Sequence, residues 1–311
     1  MLLKKELGVV EKSYYEASVT RRAPAGPLAE RTRTDVCVVG GGYAGLSAAL
    51  ELADRGYEVM LLEAQRVGWG ASGRNDAARA CGVRVHENSP VFVVERGARP
   101  LVKTAQGECE CRFVVLGGNV YLGEYGDAIA PEVAARIMPV GTYMIATEPL
   151  GRERADALMR GRPAASDTNF VLDYFRLSAD DRLLFGGGDS YSAAAPRDVI
   201  ARIRASMLKV FPQLADLDIP YAWGGFVDIS MNKAPDFGRL GDNIYYLQGF
   251  SGHGLALAGM AGKLVALAIA GQAERFDLFS RIRHHAFPGG ALLRTPALVL
   301  GMMYYRLRDA L

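Results

Sequence analysis

Short unbroken apolar runs alternate with helically spaced stretches in the first part of the chain. Longer strands with alternating apolar and polar positions follow. DVCVVG (35–40) is an apolar, β-branched run that suits a strand buried on both faces. After the glycine-rich GGGYAG (40–45), Leu46, Ala49, Leu50 and Ala53 fall at helical spacing, and Gly56 supplies a stop. YEVMLLE (57–63) reads as a second buried strand, completing a strand–helix–strand unit. GVRVHE, VFVVE and LVKTA are short strands split by turns, and ECRFVVLGGN (110–119) is a buried strand ending in two glycines. From about Met138 the strands lengthen. They are GTYMIATEPL, two strands around the polar turn Ser178–Asp181, and YAWGGFVDIS, with a helix closed by Pro212 between the last two. NIYYLQGF (243–250) returns to the buried-strand texture and leads through SGHG into an apolar helix.

This pattern predicts an α/β protein with an N-terminal arm (1–33) and a nucleotide-binding domain in two pieces (34–137 and 241–311). A mixed-sheet domain (138–240) lies between the pieces. Within the arm, SYYEAS is apolar enough to dock on the body. With 311 residues, half of them hydrophobic, the chain has material for two cores. A formal net charge of +2 gives no basic field of the kind nucleic acid requires. The N-terminal stretch lacks the apolar segment of a secretory signal. GLALAGMAGKLVALAIAG (254–271) holds Lys263 and falls short of the ~20 residues of a spanning helix. Cys109 and Cys111 have the spacing of a metal pair, but no second pair completes a site. Strand cysteines in a reducing cytoplasm are expected, and no metal.

Gly40, Gly42 and Gly45 form G-x-G-x-x-G in its required setting. A strand precedes it, a helix opening with Tyr43 and Ala44 follows, and Glu63 closes the next strand roughly 20 residues on. Gly40 permits the tight turn, Gly42 lets backbone approach a pyrophosphate, and Gly45 lets helix and strand pack closely. The helix N-terminus favours the phosphate charge. Glu63 suits ribose hydroxyls and repels a 2′-phosphate, which argues against NADP. FAD and NAD share this unit. Gly117–Gly118 and the helix start at Gly252–His253–Gly254 separate them, because free amides there stabilise the negative charge of a reduced flavin.

DVCVVGGGYAGLSAALELADRGYEVMLLEAQRVGWGASGRN, WGGFVDISMNKAPDFGRL and GFSGHGLALAG together resemble the FAD-dependent amine and amino-acid oxidases of the D-amino-acid oxidase and glycine oxidase superfamily. SYYEAS before the first strand and NFVLDYFRLSADDRLLFGGG extend the resemblance to the gamma-glutamylputrescine oxidoreductases within it. The resemblance implies a Rossmann-like FAD-binding domain with a second, mixed-sheet substrate domain. It implies FAD contacts at Gly40, Gly42, Tyr43, Ala44 and Gly45 and at Glu63. Further contacts are implied at Ser72, Gly73 and Arg74, at Val91 beside the adenine, at Gly117, and at Gly252, His253, Gly254 and Leu255 facing the flavin carbonyl. The implied chemistry is hydride transfer from the carbon bearing a primary or secondary amine to flavin N5, with oxygen as acceptor. Tyr174 and Arg176, on one face of a strand, are candidate substrate residues, since an Arg fork matches a carboxylate. A plain strand-surface Arg fits equally well. No general base is assigned, because an amine that enters deprotonated needs none.

The resemblance also implies a long segment after SGRN, on the order of 100 residues. Here Asn75 runs directly into DAARAC, a helix tail below the ~12 residues at which a helix begins to hold alone. The substrate domain is therefore expected to be shortened. Two further readings stand beside an active amine oxidase: an FAD-binding remnant without turnover, and an NAD-dependent dehydrogenase.

Overall fold

A computed structural model describes residues 13–20, 23–69, 81–125, 129–169, 172–190 and 198–288, with residues 296, 299–301 and 304. In chain order its elements begin with α1 (Tyr14–Ala17), β1 (Arg31–Val39), α2 (Tyr43–Asp54), β2 (Val59–Leu62), β3 (Arg84–His86), β4 (Val93–Glu95) and β5 (Leu101–Lys103). Next come β6 (Glu108–Leu116), α3 (Pro131–Ala134), β7 (Ile137–Ala146), α4 (Arg152–Leu158), β8 (Ala165–Ser166), β9 (Tyr174–Leu177) and β10 (Leu183–Ser190). The rest are α5 (Val199–Val210), β11 (Tyr221–Ser230), β12 (Asp236–Arg239), β13 (Ile244–Gln248), α6 (Gly254–Ile269) and α7 (Glu274–Ser280). They form two compact units. The first comprises Arg21–Pro139 and Val227–Ala291, and the second is Val140–Phe226 together with α1. Among the described residues no single helix is long and apolar enough to cross a membrane.

The first unit is built on a sheet of order β12-β13-β6-β1-β2-β3. β1 is flanked in parallel by β2, with Val36 opposite Val59, and by β6, with Val36 opposite Phe113. β13 continues the parallel run beyond β6, and β12 closes that edge antiparallel. Side chains of β1 divide by period two. Val36 and Val38 enter the core shared with α2 and α6, while Cys37 and Val39 enter a second core with Val91, Val102 and Leu122. Both faces are covered, so the strand sequence is apolar without a break. The chain moves from β1 through α2 to β2 on one side, and β6 lies on the other. That reversal is the switch point at which open α/β sheets bind ligands.

β1 begins at Arg31, ahead of the apolar run at Asp35 that marks it in the sequence. Arg31–Thr34 pair with Glu108–Cys111, and the Arg33 guanidinium lies 3.4 Å from Glu110. Cross-strand charge pairs extend the ladder where hydrophobicity gives no signal. β12 and α4 are likewise additional to the elements read from the pattern.

In the second unit the sheet order is β11-β7-β10-β9-β8. Phe185, fully buried, stacks on Phe175 at 5.5 Å, and Phe211 meets Phe175 edge-on at 5.0 Å. α5 adds Ile203 and Met207 to this core and is capped by Asp198, which accepts from the Ala201 amide at 2.8 Å. α1 docks here, as the aromatic SYYEAS segment suggests. Tyr14 donates to Asp180, and Tyr15 packs edge-on against Trp223 at 5.6 Å.

α2 and α6 pack on each other through Gly262, where an added Cβ would lie 2.4 Å from Ser47 Oγ and 2.5 Å from the Ala48 nitrogen. Gly259, one turn earlier, has open space. Gly262→Ala is therefore expected to destabilise the apoprotein by about 1–3 kcal/mol through overpacking. Gly259→Ala should gain up to about 1 kcal/mol from helix propensity. Paired denaturant midpoints read the difference.

Candidate FAD site

The glycine turn after β1 is held by backbone contacts that leave no room for side chains. Gly40 has φ +104°, and its nitrogen donates to Leu62 O at 2.8 Å. A Cβ on Gly40 would stand 2.8 Å from the Gly117 carbonyl and the Gly118 nitrogen. A Cβ on Gly45 would stand 1.9 Å from Gly40 O. The turn after β1, the first turn of α2 and the end of β6 are thus in near backbone contact at the switch point. Gly42 is the N-cap of α2 and makes no side-chain cap. The first amides of a helix have no partner within the helix, and a helix start of this kind favours an anion.

Glu63, directly after β2, braces this turn. Its Oε2 accepts from the Gly41 amide at 2.6 Å and its Oε1 from the Gln65 amide at 2.9 Å. Burial raises its pKa, and the amides of Gln65, Gly41 and Ala64 pull it back. A carboxylate has about four acceptor positions, so capacity remains for a ribose hydroxyl. Gly40, Glu63 and Val91 line one cavity together with Gly118, Trp69 and Tyr121. Sequence reasoning missed the aromatic part of it. Trp69 meets Tyr121 edge-on at 6.0 Å, and Gln65 Nε2 reaches the Tyr125 hydroxyl at 3.3 Å. The i, i+4 spacing of Tyr121 and Tyr125 just after the Gly117–Gly118 pair is the signal that marks them.

Gly252, His253, Gly254 and Leu255 open α6. Its N-cap His253 makes no side-chain cap, and the His253 Nδ1 lies 3.1 Å from Ser251 O. Gly252 (φ +86°) needs the conformation that glycine favours. Leu255 is 80% exposed, so this helix start is open on its outer side. The parallel strands β1, β6 and β13 bring their carboxyl ends, and hence these turns, to one edge of the sheet. Ser72, Gly73 and Arg74 lie outside the described residues, as does the junction at Asn75.

Tyr174 and Arg176 are engaged within the second unit. Tyr174 OH pairs with Thr142 Oγ1 at 2.8 Å, and the Tyr174 ring covers Gly186. Arg176 Nη2 donates to Tyr15 OH at 3.2 Å. All four cysteines are free thiols, and Cys37, Cys109 and Cys111 are buried. Cys109 and Cys111 pack with Cys37 in the second core of the first unit.

The family description "FAD dependent oxidoreductase" matches residues 35–78 and 75–268. The chain belongs to that family. It is 34% identical to the gamma-glutamylputrescine oxidoreductase of Escherichia coli, over 96% of this chain and 98% of that protein. It is 30% identical to the probable oxidoreductase OrdL of Haemophilus influenzae, over 96% and 97%. Among solved structures, glycine oxidase from Geobacillus kaustophilus superposes with a TM-score of 0.67 at 15% identity, covering 82% of this chain and 100% of the other. L-proline dehydrogenase from P. horikoshii superposes with a TM-score of 0.64 at 17% identity, covering 83% and 98%. At those identities the likeness shows the fold alone.

The cofactor of this family is FAD, and the residues present fit it. Gly40 and Gly45 stand where a Cβ would strike backbone, the start of α2 has no side-chain cap and suits a pyrophosphate, and Glu63 lines the cavity beside them. The chain is also shorter than its relatives. The alignment with the E. coli protein runs over 421 positions, whereas the whole chain has 311 residues. The two matched ranges meet at 75–78, directly after SGR.

Glu63→Ala removes the brace and the ribose acceptor together. A lost charged hydrogen bond is worth about 1.5–3 kcal/mol, so FAD affinity should fall roughly 10- to 100-fold, read by flavin fluorescence titration of the apoprotein. Gly45→Ala should abolish FAD retention on a gel-filtration column.

Proposed function

We propose that the chain oxidises a primary or secondary amine of the gamma-glutamylputrescine type and passes the electron pair to oxygen. The observation that carries this reading is the combination, in one unit, of a Glu63-braced glycine turn and the uncapped, outward-open start of α6 at the same sheet edge. The first feature suits any dinucleotide. The second suits a cofactor that gains negative charge on reduction, which separates flavin from nicotinamide. The full-length similarity to gamma-glutamylputrescine oxidoreductase supports the substrate class.

Bound FAD supplies the acceptor for the hydride leaving the carbon that bears the nitrogen. The amine becomes an imine, which water hydrolyses to an aldehyde and ammonia, or to an aldehyde and an amine. Oxygen takes up the two electrons and two protons as hydrogen peroxide. The chain's part is to bind and orient: Glu63 and the glycine turn hold the nucleotide, and the first amides of α6 offer hydrogen bonds to developing charge. No side chain is assigned as a base, since an amine entering deprotonated has its lone pair available.

A second reading is favoured by one observation, the positions missing from this chain relative to its relatives. It is an FAD-binding protein without turnover. Purified protein separates the two. The proposal expects a yellow protein that bleaches anaerobically with a polyamine or its glutamylated form and then releases peroxide on admission of air. A yellow protein inert to the whole amine panel establishes the second reading. A colourless protein that binds NADH overturns both.

A further inference from the structure

Glu87 follows β3 directly and is 4% exposed. A carboxylate enclosed to that degree is costly unless donors meet it. Two backbone amides do so, one on each oxygen. Oε2 accepts from the Ala25 amide at 2.7 Å, and Oε1 accepts from the Val67 amide at 2.8 Å. One donor belongs to the lead-in before β1 and the other to the stretch after β2. A single side chain therefore bridges two segments that are far apart in the chain.

Both segments are fastened to the loop that Glu87 opens. On the lead-in side, the Leu28 amide donates to Ser89 Oγ at 2.9 Å, and His86 Nδ1 lies 3.3 Å from Gly26 O. The Leu28 side chain is buried in the core that holds Val91. On the other side, the Glu63 amide donates to His86 O at 2.9 Å. The Ser89 and Asn88 amides donate to Glu63 O and Gln65 O, at 2.8 Å each. Asn88 has φ +52°, a left-handed conformation that its surroundings impose. The Gly68 amide then donates to Gly41 O at 3.0 Å, which carries the stretch back to the glycine turn. Glu63, Ala64, Gln65, Trp69, Ser89 and Val91 line the cavity, and Glu87 stands behind that wall. The Val67 amide is thus the point at which the lead-in reaches the wall.

We propose that Glu87 is a positioning residue of the nucleotide cavity, through which the lead-in at Ala25–Leu28 sets the course of the Gln65–Trp69 wall. It acts through the two amides and not on the cofactor. The placement of its acceptors makes the role specific to a carboxylate. Each oxygen faces an N–H, so a Gln would turn its N–H₂ toward one of them. The lead-in is thereby part of the cofactor site, although in the sequence it reads as an arm outside the nucleotide-binding domain.

The inference rests on the FAD reading above, and the test keeps the two apart. Ala25→Pro removes one donor and leaves the carboxylate, whereas Glu87→Gln removes one acceptor. Circular dichroism of each apoprotein checks folding, and Ala25→Pro carries the test if Glu87→Gln does not fold. Trp69 and Trp223 are the two tryptophans, so a Trp223→Phe background isolates the emission of Trp69 in the wall. Both variants are expected to shift that emission in the apoprotein. They are also expected to weaken FAD and ADP by the same factor, roughly tenfold for one charged hydrogen bond lost. ADP is the probe because it carries the half of the cofactor that this cavity receives. An ADP affinity equal to wild type overturns the proposal even where the denaturant midpoint falls, since Glu87 is then a staple of the fold alone. An unchanged Trp69 emission overturns it too, because the wall has not moved. Variants that bind FAD as wild type does leave the flavin reading standing and remove only this inference. A wild-type chain that takes up no FAD removes both.

Discussion

The site depends on one steric constraint: three stretches of backbone meet at the switch point with no space for a side chain between them. Gly40, Gly45 and the Gly117–Gly118 pair are packed so closely that a single Cβ at Gly40 or Gly45 would overlap a neighbouring carbonyl. This contact fixes where β1 turns, how near α2 comes to the sheet, and how the end of β6 faces the turn. With the backbones in place, α2 starts at the sheet edge with Gly42 as its N-cap and no side-chain cap. Glu63 completes the arrangement by spanning from the turn to the residues after β2. An anionic dinucleotide is the natural partner for such a surface, because it satisfies the amides while its sugar uses the remaining acceptor positions of the carboxylate.

The same edge is reinforced by buried carboxylates that serve the backbone. Glu87, 4% exposed, accepts from the Ala25 amide at 2.7 Å and the Val67 amide at 2.8 Å, stapling the lead-in segment to the stretch after β2. Asp236, 1% exposed, takes Tyr246 OH at 3.1 Å and Gln248 Nε2 at 2.9 Å, which locks β12 onto β13. Asp228, near the end of β11, takes the Phe250 amide at 2.9 Å in the turn into α6. At Glu87 and Asp228, amides without a ladder partner find an acceptor in the interior, while Asp236 takes side-chain donors. The loops at this edge are thereby held as firmly as the strands that carry them.

Much of the first unit was legible in the sequence because its signals are local. DVCVVG, the three glycines, the helix and YEVMLLE lie within thirty residues, and each has its own steric or periodic signature. The return strand NIYYLQGF was legible for the same reason. What could not be read depends on residues far apart in the chain. The extension of β1 back to Arg31 rests on arginines facing Glu108 and Glu110. The aromatic wall joins Trp69 to Tyr121, and Asp228 joins β11 to the turn at Phe250. Asp228 sits in a strand whose alternation gives no warning that a carboxylate faces inward. The burial of Leu52 and Ala48 in α2, beyond the residues read from spacing, likewise follows from the passage of α6 across that helix.

The missing positions relative to the relatives bear unequally on the two halves of the chemistry. Among the described residues, the edge that carries the glycine turn is formed by β1 to Glu63, Val91, the end of β6, and β13 into α6. The first unit keeps hydrophobic cores on both faces of its sheet, and the second keeps its own around Phe185, Ile203 and Met207. Cofactor binding and folding are thus supported by interactions internal to each unit, while the outer side of α6, with Leu255 80% exposed, has no cover from the described residues. Substrate retention and exclusion of solvent govern turnover in such enzymes, and an open helix start is the feature of this edge on which they would bear.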